Sequence, residues 1–429
     1  MTATPSVGGE SPSPTALLQQ LPFRRLSLTR FSSRVAQNAL NFGLVLLVLD
    51  ETGKAFFSSL LILALVVPAT GAGIVAGVAA DAVPKRLLVF LANFARAAVC
   101  IGFILGSAST ASLYVVAVLL AIFTQFASSA EGAILPAIVK RSELARANAI
   151  GHAVGGVAQI VGFAVLTPVV LRVFESADVL FGIATVLFLV AAIQVVMIGR
   201  VQAAAESEVG GGGDGPWWKV GWLAIRADPV VLGAAIELTL ISMALIILGG
   251  LIPTYIRDVL DLPLEVGALV LTPVAIGVVL GLRVAGFLSR RVPHSLLSSI
   301  GFVVFVALLL GITFVNEEAS FLSGYGALSW LADVDIGSFD GGGLLAMALV
   351  LPLGFAYALV SVAGQTVLND RVPLSLQGRV IATQAAMAAV AASLPVLAAG
   401  AIGDWLGVQP AMAMLAVVIG VAAVLNLRS

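Results

Sequence analysis

Twelve runs of about twenty mostly apolar residues, separated by short polar breaks, leave this chain one environment in which to fold, a lipid bilayer, because a helix of that length just crosses the hydrocarbon. The runs are 28–49, 55–79, 87–107, 112–138, 147–171, 178–199, 229–256, 264–288, 295–315, 343–368, 379–401 and 410–427. In hydrocarbon every backbone N–H and C=O must find a partner within the protein, so runs this long are helices. Gly and Pro inside them are tolerated because neighbouring helices satisfy the freed groups. Only 10% of the residues are charged, where a soluble domain carries roughly 25%. A net charge of −1 with no block of five like charges removes the electrostatic footprint of nucleic-acid binding. Cys100 alone cannot close an intramolecular disulfide, and His152 and His294 are too few for a histidine metal cluster. With no HExxH or GxSxG motif either, the chain is expected to have no cofactor or metal and not to be an enzyme.

Lys and Arg set the orientation. With both termini in the cytoplasm, that side receives Arg24, Arg25, Arg30, Lys85, Arg86, Lys140, Arg146, Arg200, Arg371 and others, against Lys54, Arg172 and Arg257 outside. Only Arg34, Arg96 and Arg283 then remain within the membrane, and Arg283, near its helix end, is expected to snorkel to the headgroups. Residues 1–21, rich in Ser, Thr, Pro and Gly, are expected to be a disordered cytoplasmic tail, and the first run is read as a retained helix rather than a cleaved signal.

The chain repeats itself. A shift of 209 residues aligns Ala76, Gly77, Val83, Pro84, Leu87 and Leu88 with Ala285, Gly286, Val292, Pro293, Leu296 and Leu297. A shift of 233 aligns Leu135, Val139, Ser142, Arg146 and Ala149 with Leu368, Val372, Ser375, Arg379 and Ala382. The shift grows by 24 where an insertion is needed: the loop from Asn316 to Gly342 is long and its first-half counterpart, near Ser107 to Ser112, is short. Repeats of six spans imply two bundles, 22–199 and 229–429, with a solute path between them. The segment 200–228 joins them, with Gly210 to Gly213 as a flexible hinge and Trp217, Trp218 and Trp222 on a short helix lying at the cytoplasmic interface.

Polar groups cost several kcal/mol inside a bilayer unless paired or wet, so their spacing is informative. Arg34, Gln37, Asn38 and Asn41 fall at i, i+3, i+4 and i+7 of the first run and should line a cavity. Thr124, Ser128 and Glu131, with Gln125, mark one face of the fourth run, and Tyr357, Ser361 and Gln365 one face of the tenth. The seventh offers Glu237. Arg34, Glu131 and Glu237 lie at similar depth, on the order of 10 Å from their helix ends at 1.5 Å per residue. This suggests an ion network centred on Arg34 with Glu131 or Glu237 as proton-coupling carboxylates, Arg96 either joining it or packing against carbonyls. A static salt bridge between helices is the alternative reading.

Gly77-x-x-x-Asp81-x-x-x-Lys85-Arg86, between the second and third runs, resembles the loop signature of the major facilitator superfamily. Ala80-Asp81-Ala-Val-Pro-Lys-Arg86, Ala92-Asn93-Phe-Ala-Arg96-Ala97, Leu135-Pro136, Arg146-Ala-Asn148-Ala149 and Gly378-Arg379-Val380 resemble its bacterial branch of drug, macrolide and siderophore exporters. The resemblance implies an all-α fold of twelve transmembrane helices in two pseudo-symmetric six-helix bundles, with the first, fourth, seventh and tenth lining the cavity. It implies that Gly77, Asp81, Lys85 and Arg86 control switching, Gly77 allowing close helix approach and Asp81 latching one state. The expected function is secondary active export of a small amphiphilic organic solute from the bacterial cell by a monomer in the inner membrane. Proton antiport is an analogy only, because the fourth run lacks the arginine and the fifth the Gly-Pro-x-x-Gly-Gly pattern of many proton-coupled exporters. An importer or facilitator of the same fold, and a transporter-like sensor that does not translocate, remain alternatives.

Overall fold

The computed structural model describes residues 14–106, 109–140, 143–199, 217–288, 291–318 and 341–428; Gly210 to Gly213 and most of the long outer loop lie outside these. Twelve helical spans follow in order: Leu21–Thr52, Ala55–Ala82, Lys85–Leu105, Thr110–Ile138, a fifth built of three segments, and Ala177–Val196. After the linker come Pro229–Asp258, Leu264–Leu288, His294–Thr313, Gly341–Arg371, Leu374–Leu406 and Val408–Arg428. The architecture is an all-α, twelve-helix membrane fold in two pseudo-symmetric halves. Among the described residues ten helices are long and apolar enough to cross a membrane, and Val408–Val424 is a shorter apolar stretch. The first span carries arginines and amides along one face, which the protein rather than lipid must cover.

Helices outrun their apolar runs because backbone pairing continues through the headgroup region after hydropathy has stopped reporting it. The first starts at Leu21, with Pro22 in its first turn, and ends where Gly53 adopts φ 66 and donates its N–H to the Leu49 carbonyl. Of the segment 1–21 expected to be a tail, residues 1–13 lie outside the described residues. Pro14–Gln19 is helical, and Leu17 is buried with Phe23 and Leu26, an apolar cluster that a disordered segment would have left in water.

Each half has its own core. Leu40, Leu44, Phe103, Leu120, Phe181 and Phe188 join the first, third, fourth and sixth spans, and Ile247, Leu251, Phe305, Val350, Val360 and Leu415 join the seventh, ninth, tenth and twelfth. The first, second and fifth spans of one half contact the seventh, eighth and eleventh of the other. The second meets the seventh and eleventh, and the fifth meets the eighth. The near face is the one where the first span begins and the twelfth ends; the far face is opposite.

The named cross-half contacts cluster toward the far face. A Cβ on Gly250 or on Gly400 would lie 2.6 Å from Ser59 Oγ, so the seventh and eleventh spans close on the second at glycines. Asp404, at the end of the eleventh span, accepts the Ala55 N–H at 2.7 Å and the Phe56 N–H at 3.1 Å. A carboxylate from one half thus caps the second span of the other, and Arg257 Nη2 adds a bond to the Gly53 carbonyl at 3.3 Å. An N-terminal cap of this kind is worth about 1 kcal/mol, roughly fivefold in a conformational equilibrium. Asp404→Ala is therefore expected to raise far-face opening several-fold. The measurement is maleimide labelling at Ile62→Cys, which packs against Gly249 in the seam; buried Cys100 gives little background. Equal labelling rates with and without Asp404→Ala would deny the carboxylate a gating role.

At the near face Asp228 caps the seventh span, accepting the Val230 N–H at 2.8 Å, and pairs with Arg371 of the tenth at 3.0 Å. The backbone bond first, and then Arg371, hold its carboxyl below the ordinary aspartate range. A lowered carboxylate pKa contributes stability at neutral pH that disappears as pH falls through the folded-state value. Thermal melts on acidification should show a loss that Asp228→Ala flattens; parallel melting curves for the two proteins would refute the assignment.

The linker helix Trp217–Ala227 docks on the eleventh span. A Cβ on Gly221 would meet Thr383 Oγ1 and the Arg379 carbonyl, so only glycine permits that approach, while Trp218 and Leu223 stay exposed.

Candidate functional site

The polar stripe of the first span faces a cavity of about 220 Å³. Ser33, Arg34, Gln37, Asn38 and Asn41 come from the first span, Leu65 and Ala69 from the second, Arg96 from the third, and Thr124, Gln125, Ser128 and Glu131 from the fourth. The walls are knitted together. Thr124 Oγ1 donates to Gln37 Oε1 at 2.6 Å, Gln37 Nε2 to Asn41 Oδ1 at 2.7 Å, and Asn38 Nδ2 to the Arg34 carbonyl at 2.8 Å.

Its acid is Glu131, 4% exposed. Arg30 Nε lies 3.6 Å from Glu131 Oε2, and Arg30 Nη2 donates to the Glu131 carbonyl at 2.9 Å. The network expected around Arg34 is centred one turn lower, on Arg30. The reason is depth: Glu131 of the fourth span stands level with Arg30, one turn nearer the start of the first helix than Arg34. The signal was present in the sequence, since Arg30 and Arg34 are i and i+4 on the same stripe. Gly151 of the fifth span faces it: a Cβ there would sit 3.1 Å from Arg30 Nη1. Arg34 itself is exposed and makes no ion pair among the described residues.

Arg96 is 2% exposed. Its Nη2 donates to Asn93 Oδ1 at 2.6 Å, its guanidinium lies 4.6 Å from the Phe188 ring centre, and its buried Nε has no acceptor. The fifth span breaks beside this site. Its segments are Leu144–Gln159, a π-helical Ile160–Leu166, and Thr167–Phe174 with Pro168. The break passes the stripe at Gly162, where a Cβ would lie 2.4 Å from the Val35 carbonyl, and Thr167 Oγ1 is 3.0 Å from both the Ala39 and Gly162 carbonyls.

The second-half candidates lie apart from this cavity. Glu237 accepts Ser298 Oγ at 2.7 Å, so it belongs to a seventh–ninth span contact and does not line the site. Tyr357 packs against the second-half core, and exposed Gln365 reaches Ser361 Oγ at 3.4 Å.

Gly77, in the last turns of the second span, is exposed with nothing within 4 Å of a Cβ, so the close approach expected of it is absent. The stripe it belongs to explains this: Ala69 lines the cavity, Gly73 is 3.9 Å from Gln125 Oε1, and Gly77 is the next turn toward the near face. The Asp81 side chain lies outside the described residues. Lys85 opens the third span, and Arg86 donates to the Val195 carbonyl at 3.4 Å and to that of Val196, fastening the third span to the end of the sixth.

Two six-helix halves that meet toward the far face, with a cavity of charged and polar side chains among the spans of the first half, are the framework of a multi-pass membrane transporter. Residues 26–343 match the Major Facilitator Superfamily model, and the chain belongs to that superfamily. Among solved structures it is similar to the nucleoside transporter NupG (TM-score 0.71, 13% identity, covering 95% of this chain and 98% of that one). It is likewise similar to the peptide transporter POT in complex with sulfate (TM-score 0.70, 12% identity, 97% of this chain and 98% of that one). No curated protein sequence matches it.

Proposed function

We propose that this protein is a secondary active exporter that moves a small amphiphilic organic solute out of the bacterial cytoplasm by alternating access, with proton entry through Glu131 as the coupling. The Lys and Arg bias supports the near face as cytoplasmic, which makes the conformation inward-facing. Leu65 and Ala69 opposite the amide stripe suit a solute with apolar and polar sides. The observation that carries the reading is the Arg30–Glu131 pair, which joins the first and fourth spans beside the cavity. Protonating Glu131 would cancel that pair's attraction and loosen the two spans. The cavity lies within one chain, so a monomer suffices.

The test begins with a metabolite- and drug-export screen comparing cells with and without the protein, followed by counterflow of the exported solute in proteoliposomes. Outward-directed accumulation that disappears when the proton gradient is collapsed is expected. Accumulation in the opposite direction would make the protein an importer, and saturable binding with no counterflow would make it a sensor.

A further inference from the structure

We infer that the cavity selects a small organic anion, its oxyanion group held by Arg34 and Arg96 and its remaining polar atoms by the amides of the first and fourth spans. The inference rests on the transporter reading of the same cavity and adds the chemical class of its solute.

The charge balance argues for it. Three guanidiniums, of Arg30, Arg34 and Arg96, act on one carboxylate, that of Glu131. The pair with Arg30 engages that carboxylate, leaving Arg34 and Arg96 at the cavity without an ion pair of their own among the described residues. Arg96 is the more telling of the two. A guanidinium this deeply buried is costly unless its donors are satisfied, yet among the described residues only Asn93 and the Phe188 face receive it, and Nε is left unpaired. Arg34 is exposed at the cavity and unpaired, its carbonyl bonded by Asn38 so that this turn of helix is fixed. Guanidinium forks match the planar geometry of carboxylates and the oxygens of phosphate or sulfonate, with shorter and stronger bonds than neutral groups give. A cationic solute would face the same two arginines with nothing but Glu131 to receive it, and Glu131 is already engaged.

The experiment uses the purified full chain in detergent with probes of one shape and different charge: naphthoate, naphthalene sulfonate, naphthyl phosphate, methyl naphthoate and naphthylmethylammonium. Thermal stabilisation and equilibrium binding are read for each. At least one oxyanion probe should bind on the order of tenfold or more tighter than the ester or the ammonium, the margin expected of charge-assisted bonds, and Arg34→Gln should remove that advantage while Arg34→Lys restores part of it. Arg34 is exposed, so these variants are not threatened by misfolding. Equal binding of ester and acids, preference for the ammonium, no binding of any oxyanion, or full binding by Arg34→Gln would each overturn the inference. Counterflow separates the two readings. Oxyanion binding without counterflow leaves the anion class standing and removes the transporter; counterflow of the ammonium does the reverse.

Discussion

Gly277→Val is expected to prevent the second half from assembling. The eighth and tenth spans approach so closely that a Cβ on Gly277 would lie 1.9 Å from the Leu351 carbonyl oxygen. One on Gly281 would lie 2.6 Å from Ala358 Cβ, and one on Gly354 2.3 Å from the Val274 carbonyl oxygen. Gly277 and Gly281 are four residues apart, as are Gly354 and Ala358, so each helix presents a small-residue stripe to the other. In hydrocarbon this contact draws little from the hydrophobic effect, since lipid chains are as apolar as leucine, and depends instead on backbone proximity. What a new side chain meets at Gly277 is backbone, which cannot rotate aside. Overpacking usually costs about 1–3 kcal/mol, more where the backbone must shift, so a loss at the upper end, roughly a hundredfold in folded fraction, is expected. The yield of monodisperse protein and its melting temperature measure it, with Gly286→Val as the comparison, since no atom lies within 4 Å of a Cβ at that later position on the same helix. Matching melts for the two variants would show that the close approach is dispensable.

Helices were legible in the sequence because lipid removes the alternatives, so length and hydropathy alone give twelve spans. What those signals cannot report is where a helix stops once it leaves hydrocarbon: the stretch from Leu21 to Leu28, ahead of the first apolar run, is two turns of the same helix. The i, i+3, i+4 stripes of the first and fourth spans were equally readable, and their residues lie together around one cavity. Which side chain meets which was not, because it depends on relative rotation and depth of helices far apart in the chain. Glu237 finds Ser298 rather than Arg34, and Asp404 meets Ala55 and Phe56 from the opposite end of the sequence. Nor does glycine content mark close contacts. With 44 glycines in the chain, Gly277 and Gly77 look alike until a neighbour is placed against one and open space against the other.

Glu131→Gln is expected to separate movement of solute from its energy source. The amide is isosteric and uncharged, a fixed copy of the protonated acid, and Arg30, with 18% of its side chain exposed, can take water in place of the lost carboxylate. Counterflow should persist while gradient-driven accumulation falls tenfold or more. Arg30→Gln should behave differently, because it strands a carboxylate that is 4% exposed, and removing one partner of a buried pair costs about 3–5 kcal/mol. Both stability and transport should then fail. In the double variant Arg30→Gln, Glu131→Gln no charge is stranded, so stability should return to within about 1 kcal/mol of the parent, yet accumulation should stay uncoupled because the titrating group is gone. A pair that only holds two helices together predicts another pattern: accumulation and counterflow would fall in parallel with folded protein in each single variant, and the double variant would restore both. Normal gradient-driven accumulation by Glu131→Gln would leave the pair a structural role and return the question of coupling to Glu237.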